Sequence, residues 1–100
     1  MTDKVYSIDD TKEMLRPILS QNNVKKAILF GSHAKGSADE NSDVDMLLDS
    51  GLRGLRFVGL IEDIRYALGK EVDVFDVTHI IPNSKISSEI NKDGVIIYEE

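Results

Sequence analysis

Polar and apolar positions alternate along the chain with two periods, and the places where the period changes mark the expected elements. Met14, Leu15, Ile18 and Leu19 recur at helical spacing. Ser7, followed three residues later by Asp10, supplies the cap and acid that open such a helix. Pro17 sits inside the run, where it removes one backbone hydrogen bond and is expected to kink or restart the helix. Gln21-Asn22-Asn23 breaks the pattern, and Val24 to Phe30 reads as a short apolar strand.

Residues 31–43 are small, polar and rich in turn formers, and predict a loop with room for one helical turn at its start. Val44 to Asp49 is a second strand. Leu52 to Leu68 is the strongest helix, with Phe57, Leu60, Ile61, Ile64 and Leu68 on one face and Gly69 as its stop, although Gly54 and Gly59 weaken its first turns. Glu71 to Val77 alternates as a third strand. A helical turn around Lys85 to Asn91 and a strand from Val95 to Tyr98 end the chain. This order predicts an α/β (α+β) fold: a mixed sheet of about four strands with helices packed on it, in a single domain over residues 1–100.

Charge and composition narrow the function. The net charge of −6 disfavours a general phosphate-backbone binder, so no direct nucleic-acid binding is expected. With no Cys, the chain has neither a thiolate nucleophile nor a Cys-type zinc site. No apolar run is long enough to span a bilayer, and Met1-Thr2-Asp3-Lys4 lacks the start of a signal peptide, so a cytoplasmic protein is expected.

The chemistry concentrates in Gly31-Ser32-His33-Ala34-Lys35-Gly36 and Asp43-Val44-Asp45. A strand that runs into a Gly-Ser turn presents backbone N–H groups able to cradle phosphate oxygens; Ser32 adds a hydroxyl and Lys35 a point charge. Period-2 geometry puts Asp43 and Asp45 side by side on one face, with Val44 opposite. Such a pair is relieved by a cation, and hard oxygen ligands suit Mg²⁺ held together with substrate phosphates. If strand three lies beside strand two, Asp73 completes a cluster able to hold two ions roughly 3.5–4 Å apart. Asp76 competes for that role, but alternation places it on the core side with Val72 and Val74 or past the strand end. His33 reads as an exposed loop residue rather than a ligand. The Gly31 to Gly36 spacing matches a P-loop, yet Ser37 stands where that motif needs Lys, which excludes it.

Gly31-Ser32, ten residues, Asp43-Val44-Asp45 and then Asp73 on a later strand resemble the minimal nucleotidyltransferases of the DNA polymerase β-like superfamily. The resemblance covers nearly the whole chain and implies the polymerase β-like fold with transfer of AMP from ATP to a hydroxyl. It implies that Asp43, Asp45 and Asp73 are the catalytic, metal-binding carboxylates for two Mg²⁺ (or Mn²⁺) ions. Gly31, Ser32 and, less tightly, Lys35 would hold the nucleotide. Where the family commonly has Arg-Ala-Arg-Gly, this chain has His33-Ala34-Lys35-Gly36, and Lys lacks the bidentate fork of Arg. Stand-alone members resemble the antitoxin of two-gene modules whose partner is a HEPN-type ribonuclease toxin, silenced through adenylylation of a tyrosine. The alternatives in view are an antitoxin acting by binding alone and a small-molecule nucleotidyltransferase of the aminoglycoside type.

Overall fold

A computed structural model describes residues 6–39 and 42–100. The start of the chain, Met1-Thr2-Asp3-Lys4, and the Glu40-Asn41 part of the long loop lie outside the described residues.

Helix α1 (Ile8–Gln21) opens on the expected cap: Ser7 Oγ accepts the Asp10 N–H at 3.0 Å and Asp10 returns the contact to the Ser7 N–H. It runs unbroken through Pro17, whose ring is exposed, so the expected restart does not occur. Burial of Leu15 and Leu19 on either side holds the helix together across the missing hydrogen bond. Strand β1 (Lys26–Phe30) is followed by the short helix α2 (Ser32–Lys35), strand β2 (Val44–Asp49) and helix α3 (Leu55–Leu68). Strand β3 (Val72–Asp76), a 3-10 turn at Val77–His79, helix α4 (Lys85–Asp93) and strand β4 (Val95–Glu99) complete the chain. α3 begins three residues later than its apolar pattern suggests, because Gly54 takes a positive φ of 59° and becomes the cap.

The strands form one mixed sheet in the order β3-β2-β1-β4. β1 is antiparallel to both β2 and β4, while β2 and β3 run parallel through the α3 crossover. Ala27, Leu29, Val44, Met46, Leu48 and Val72 turn one sheet face toward Leu15 and Leu19 of α1 and Leu60, Ile64 and Leu68 of α3. That layer is the core. The alternate residues, Phe30, Asp45, Leu47, Asp73 and Phe75, occupy the opposite face, where the Phe30 and Phe75 rings lie 6.1 Å apart. α4 packs against β1 and buries none of its own residues. Among the described residues no helix is long and apolar enough to cross a membrane.

Candidate active site

The site gathers at one end of β1, β2 and β3. β1 ends at Phe30, which sits opposite Asp45 in the antiparallel register, and Asp45 in turn sits opposite Asp73 in the parallel register. One row across three strands therefore reads Phe30, Asp45, Asp73. The two carboxylates meet within hydrogen-bonding reach of each other.

Gly31 follows Phe30 directly, with φ 74° and ψ −153°, a backbone region open only to glycine. A Cβ at this position would run into the Asp45 carboxylate. The Gly-Ser turn and the carboxylate pair are thus in contact, a relation the spacing alone does not show. Ser32 starts α2, the Lys35 N–H closes back on the Gly31 carbonyl at 3.1 Å, and Gly36 ends the turn in the left-handed region at φ 76°. Lys35 Nζ lies 3.7 Å from Asp93 of α4, and both side chains keep contact with solvent.

Asp43 stands exposed one residue before β2 and acts on Asp45 through its charge. The Val44 N–H donates to the Glu71 carbonyl at 3.1 Å, which ties the Asp43 end of β2 to the approach of β3. Burial raises the Asp45 carboxyl to about 6, helped by the charge and hydrogen bond of Asp73, then by Asp43 and by Glu89 of α4. Like charges with hard oxygen donors are a good fit for a hard divalent cation. Among the described residues no three His, Asp or Glu side chains close into a ready-made ion cage. A cation of the Mg²⁺ type does not require one, since it completes its shell with water and substrate phosphates around one or two carboxylates.

His33 departs from expectation. It lies in α2 and is buried, only 6% exposed, and neither ring nitrogen makes a well-formed hydrogen bond, although the backbone of Asp43 acts on the ring. Burial and the positive charge of Lys70 hold its pKa below the usual histidine range, while the backbone and carboxylate of Asp43 pull the other way. The ring is therefore neutral at pH 7. The surrounding Gly and Ser made this segment read as exposed loop, and no local signal announces the burial.

Asp76 takes the core side of β3, as its alternation with Val72 and Val74 requires, and is 4% exposed. Its Oδ1 accepts from Ser50 Oγ at 3.0 Å and the Ser50 N–H at 3.4 Å; its Oδ2 accepts from Thr78 Oγ1 at 2.7 Å and the Thr78 N–H at 3.1 Å. Burial pushes this carboxyl up, but the four donors outweigh it and leave it below the ordinary carboxylate value. Glu89 and Asp93 are the residues near the site that the sequence pattern did not single out. Asp93 lies beyond the Lys85 to Asn91 turn that the sequence predicts, because α4 runs on to Asp93, and the face that α4 turns inward is not set by local pattern.

Comparison with known proteins accords with this geometry. Residues 13–100 match the sequence profile of the family described as "Polymerase beta, Nucleotidyltransferase", and the chain belongs to that family. It is 38% identical over 78 residues to the Methanocaldococcus jannaschii protein named "Putative protein adenylyltransferase MJ0435", covering 76% of this chain and 84% of that one. It is 26% identical over 113 residues to "Protein adenylyltransferase MntA" of Aphanizomenon flos-aquae, across 100% of this chain and 74% of the relative. Among solved structures, a chain in a toxin–antitoxin crystal structure with AMP-PNP superposes with a TM-score of 0.73 at 21% identity, covering 89% of this chain and 73% of that chain. A chain in the complex of tri-AMPylated Shewanella oneidensis HEPN toxin with MNT antitoxin gives 0.66 at 18% identity, covering 90% and 71%. At these identities the structural likeness establishes the shared fold: four strands in a mixed sheet, polymerase β-like.

Proposed function

We propose that this nucleotidyltransferase transfers AMP from ATP to a tyrosine hydroxyl of a HEPN-type toxin, and so serves as the antitoxin of a two-protein module. The observation that carries the reading is the Asp45–Asp73 pair set in register beside Gly31, at a position where a side chain would collide with Asp45. The names of the relatives and the toxin–antitoxin neighbours support the substrate and the partner.

In this reading Gly31 and Ser32 hold the β- and γ-phosphates, and Lys35 adds a cation at the edge of the turn. Asp43, Asp45 and Asp73 would hold Mg²⁺ or Mn²⁺, which when bound with the triphosphate supplies charge neutralisation at the reacting phosphate and the departing pyrophosphate. The acceptor oxygen attacks the α-phosphorus, the bond to the β-phosphate oxygen breaks, and pyrophosphate leaves. Asp73, exposed at the edge strand, would take the hydroxyl proton. Asp43 and Asp73 are exposed, so the docked toxin would help to exclude water from the site.

Incubation of the co-expressed toxin with this protein, ATP and Mg²⁺ is expected to add whole AMP units by intact mass. Asp45→Asn should lower labelling by about a thousandfold, the loss of several kcal/mol of charge stabilisation. Neutralisation of toxicity without any mass shift, equal for wild type and Asp45→Asn, would overturn transfer in favour of binding alone.

A further inference from the structure

α4 stands on the site side of the sheet without a buried residue of its own. Half-buried Ile86 and Ile90 hold it down, as does its junction with β4. There the Gly94 N–H donates to the Ile90 carbonyl at 2.8 Å, and a Cβ on Gly94 would come within 2.9 Å of Ile28 Cγ2. The end of the helix is therefore pressed close to β1, next to the Gly31–Gly36 turn.

Glu89 and Asp93 are one helical turn apart and share a face. The Asp93 carboxylate meets Lys35 Nζ at 3.7 Å with its side chain 22% exposed, and the charge of Glu89 is felt at Asp45. This acidic face accordingly looks toward the turn and the carboxylate pair. Asp93 gains nothing from its own helix, because a negative charge in the last turn opposes the helix dipole. Its favourable electrostatic partner is Lys35, the only Lys or Arg in the turn.

At 3.7 Å the contact is an ion pair rather than a well-formed hydrogen bond. Lysine presents a compact charge on a flexible stem, so Nζ can leave one anion for another without moving the backbone. A triphosphate held by Gly31 and Ser32 places stronger anions within the same reach.

We infer that Asp93 is a positioning residue of the nucleotide site, holding Lys35 against α4 in competition with the phosphates, so that α4 sets how tightly nucleotide is held. This rests on the nucleotidyltransferase reading above. Removing Asp93 frees Lys35 for the phosphates. Removing Lys35 leaves Asp93 with nothing to compete for.

The test is titration calorimetry of Mg·ATP with the full chain, together with steady-state labelling of the partner toxin, for wild type, Asp93→Asn, Lys35→Met and the double variant. Asp93→Asn is expected to tighten ATP binding about two- to fivefold, the range of a partly exposed ion pair, with the change falling on KM rather than kcat. Lys35→Met should weaken binding, and on that background Asp93→Asn should add little. Its melting temperature should be at or above that of wild type, since an acid is removed from a helix C-terminus. Unchanged or weaker ATP binding by Asp93→Asn overturns the inference. So does an equal gain with and without Lys35, which would mean general charge relief. Failure of the wild type to bind Mg·ATP at all overturns the nucleotidyltransferase reading itself and this inference with it.

Discussion

The two ends of β3 carry two aspartates in opposite conditions. Asp73 faces the open side of the sheet next to Asp45, and the pair keeps a repulsion that folding does not relieve. Asp76, three residues later, is enclosed on the core side with four donors from Ser50 and Thr78. The second carboxylate fastens the loop after β2 to the turn after β3. The first is held ready for something from outside. Burial and hydrogen bonding are spent where the chain needs to stay shut, and withheld where a ligand must complete the arrangement.

The contrast can be broken most forcefully at its structural end. Asp76→Ala strands the buried donors of Ser50 and removes the partner of the exposed Thr78, and is expected to lower the unfolding free energy by about 2–4 kcal/mol, measurable by urea titration at pH 7. The stability that Asp76 supplies is present above the unfolded carboxylate pKa and is lost as pH falls through its lower folded value.

The functional end should respond with the opposite sign. Asp45 holds its proton up to about 6 in the folded chain, against 3.8 as the ordinary value. Between those values the folded state binds more protons than the unfolded one, so this group's contribution to stability falls as pH rises through the window. Asp45→Asn is therefore expected to stabilise by about 1–2 kcal/mol above pH 6, after discounting for partial exposure, with the gain vanishing below about pH 4. Melting curves across pH 4–8 decide it. A gain that is flat with pH would show that repulsion is not its source.

The smallest effect sharpens the comparison at the turn between the ends of β1 and β2. His33→Phe replaces two buried nitrogens that make no well-formed hydrogen bond with apolar edge and is expected to raise stability by up to about 1 kcal/mol at pH 7.5. A loss in the same melting assay would mean that the imidazole contributes a polar interaction after all.

Strand periodicity made half of this legible. Alternation along Asp43-Val44-Asp45 and Val72-Asp73-Val74 sorts the site carboxylates from the valines on the core face, and it also sends Asp76 inward, because side-chain direction in a strand depends only on local backbone geometry. The capped start of α1 was equally local. Pro17 and His33 were not. Whether a helix survives a proline, or a polar ring is enclosed, depends on what packs against it from distant parts of the chain. The same holds for α4, whose weak apolar stripe left its inward face undecided until Glu89 and Asp93 were seen beside the turn.

The two glycines that bracket α2 have unequal freedom. Gly36 needs a left-handed backbone but faces open space, so an asparagine could be accommodated there at modest cost. Gly31 is confined both by its backbone and by the Asp45 side chain across from it. A single methyl group at residue 31 would act as a wedge driven between turn and strand, prying apart the two halves of the machinery while leaving every acidic side chain in the sequence intact.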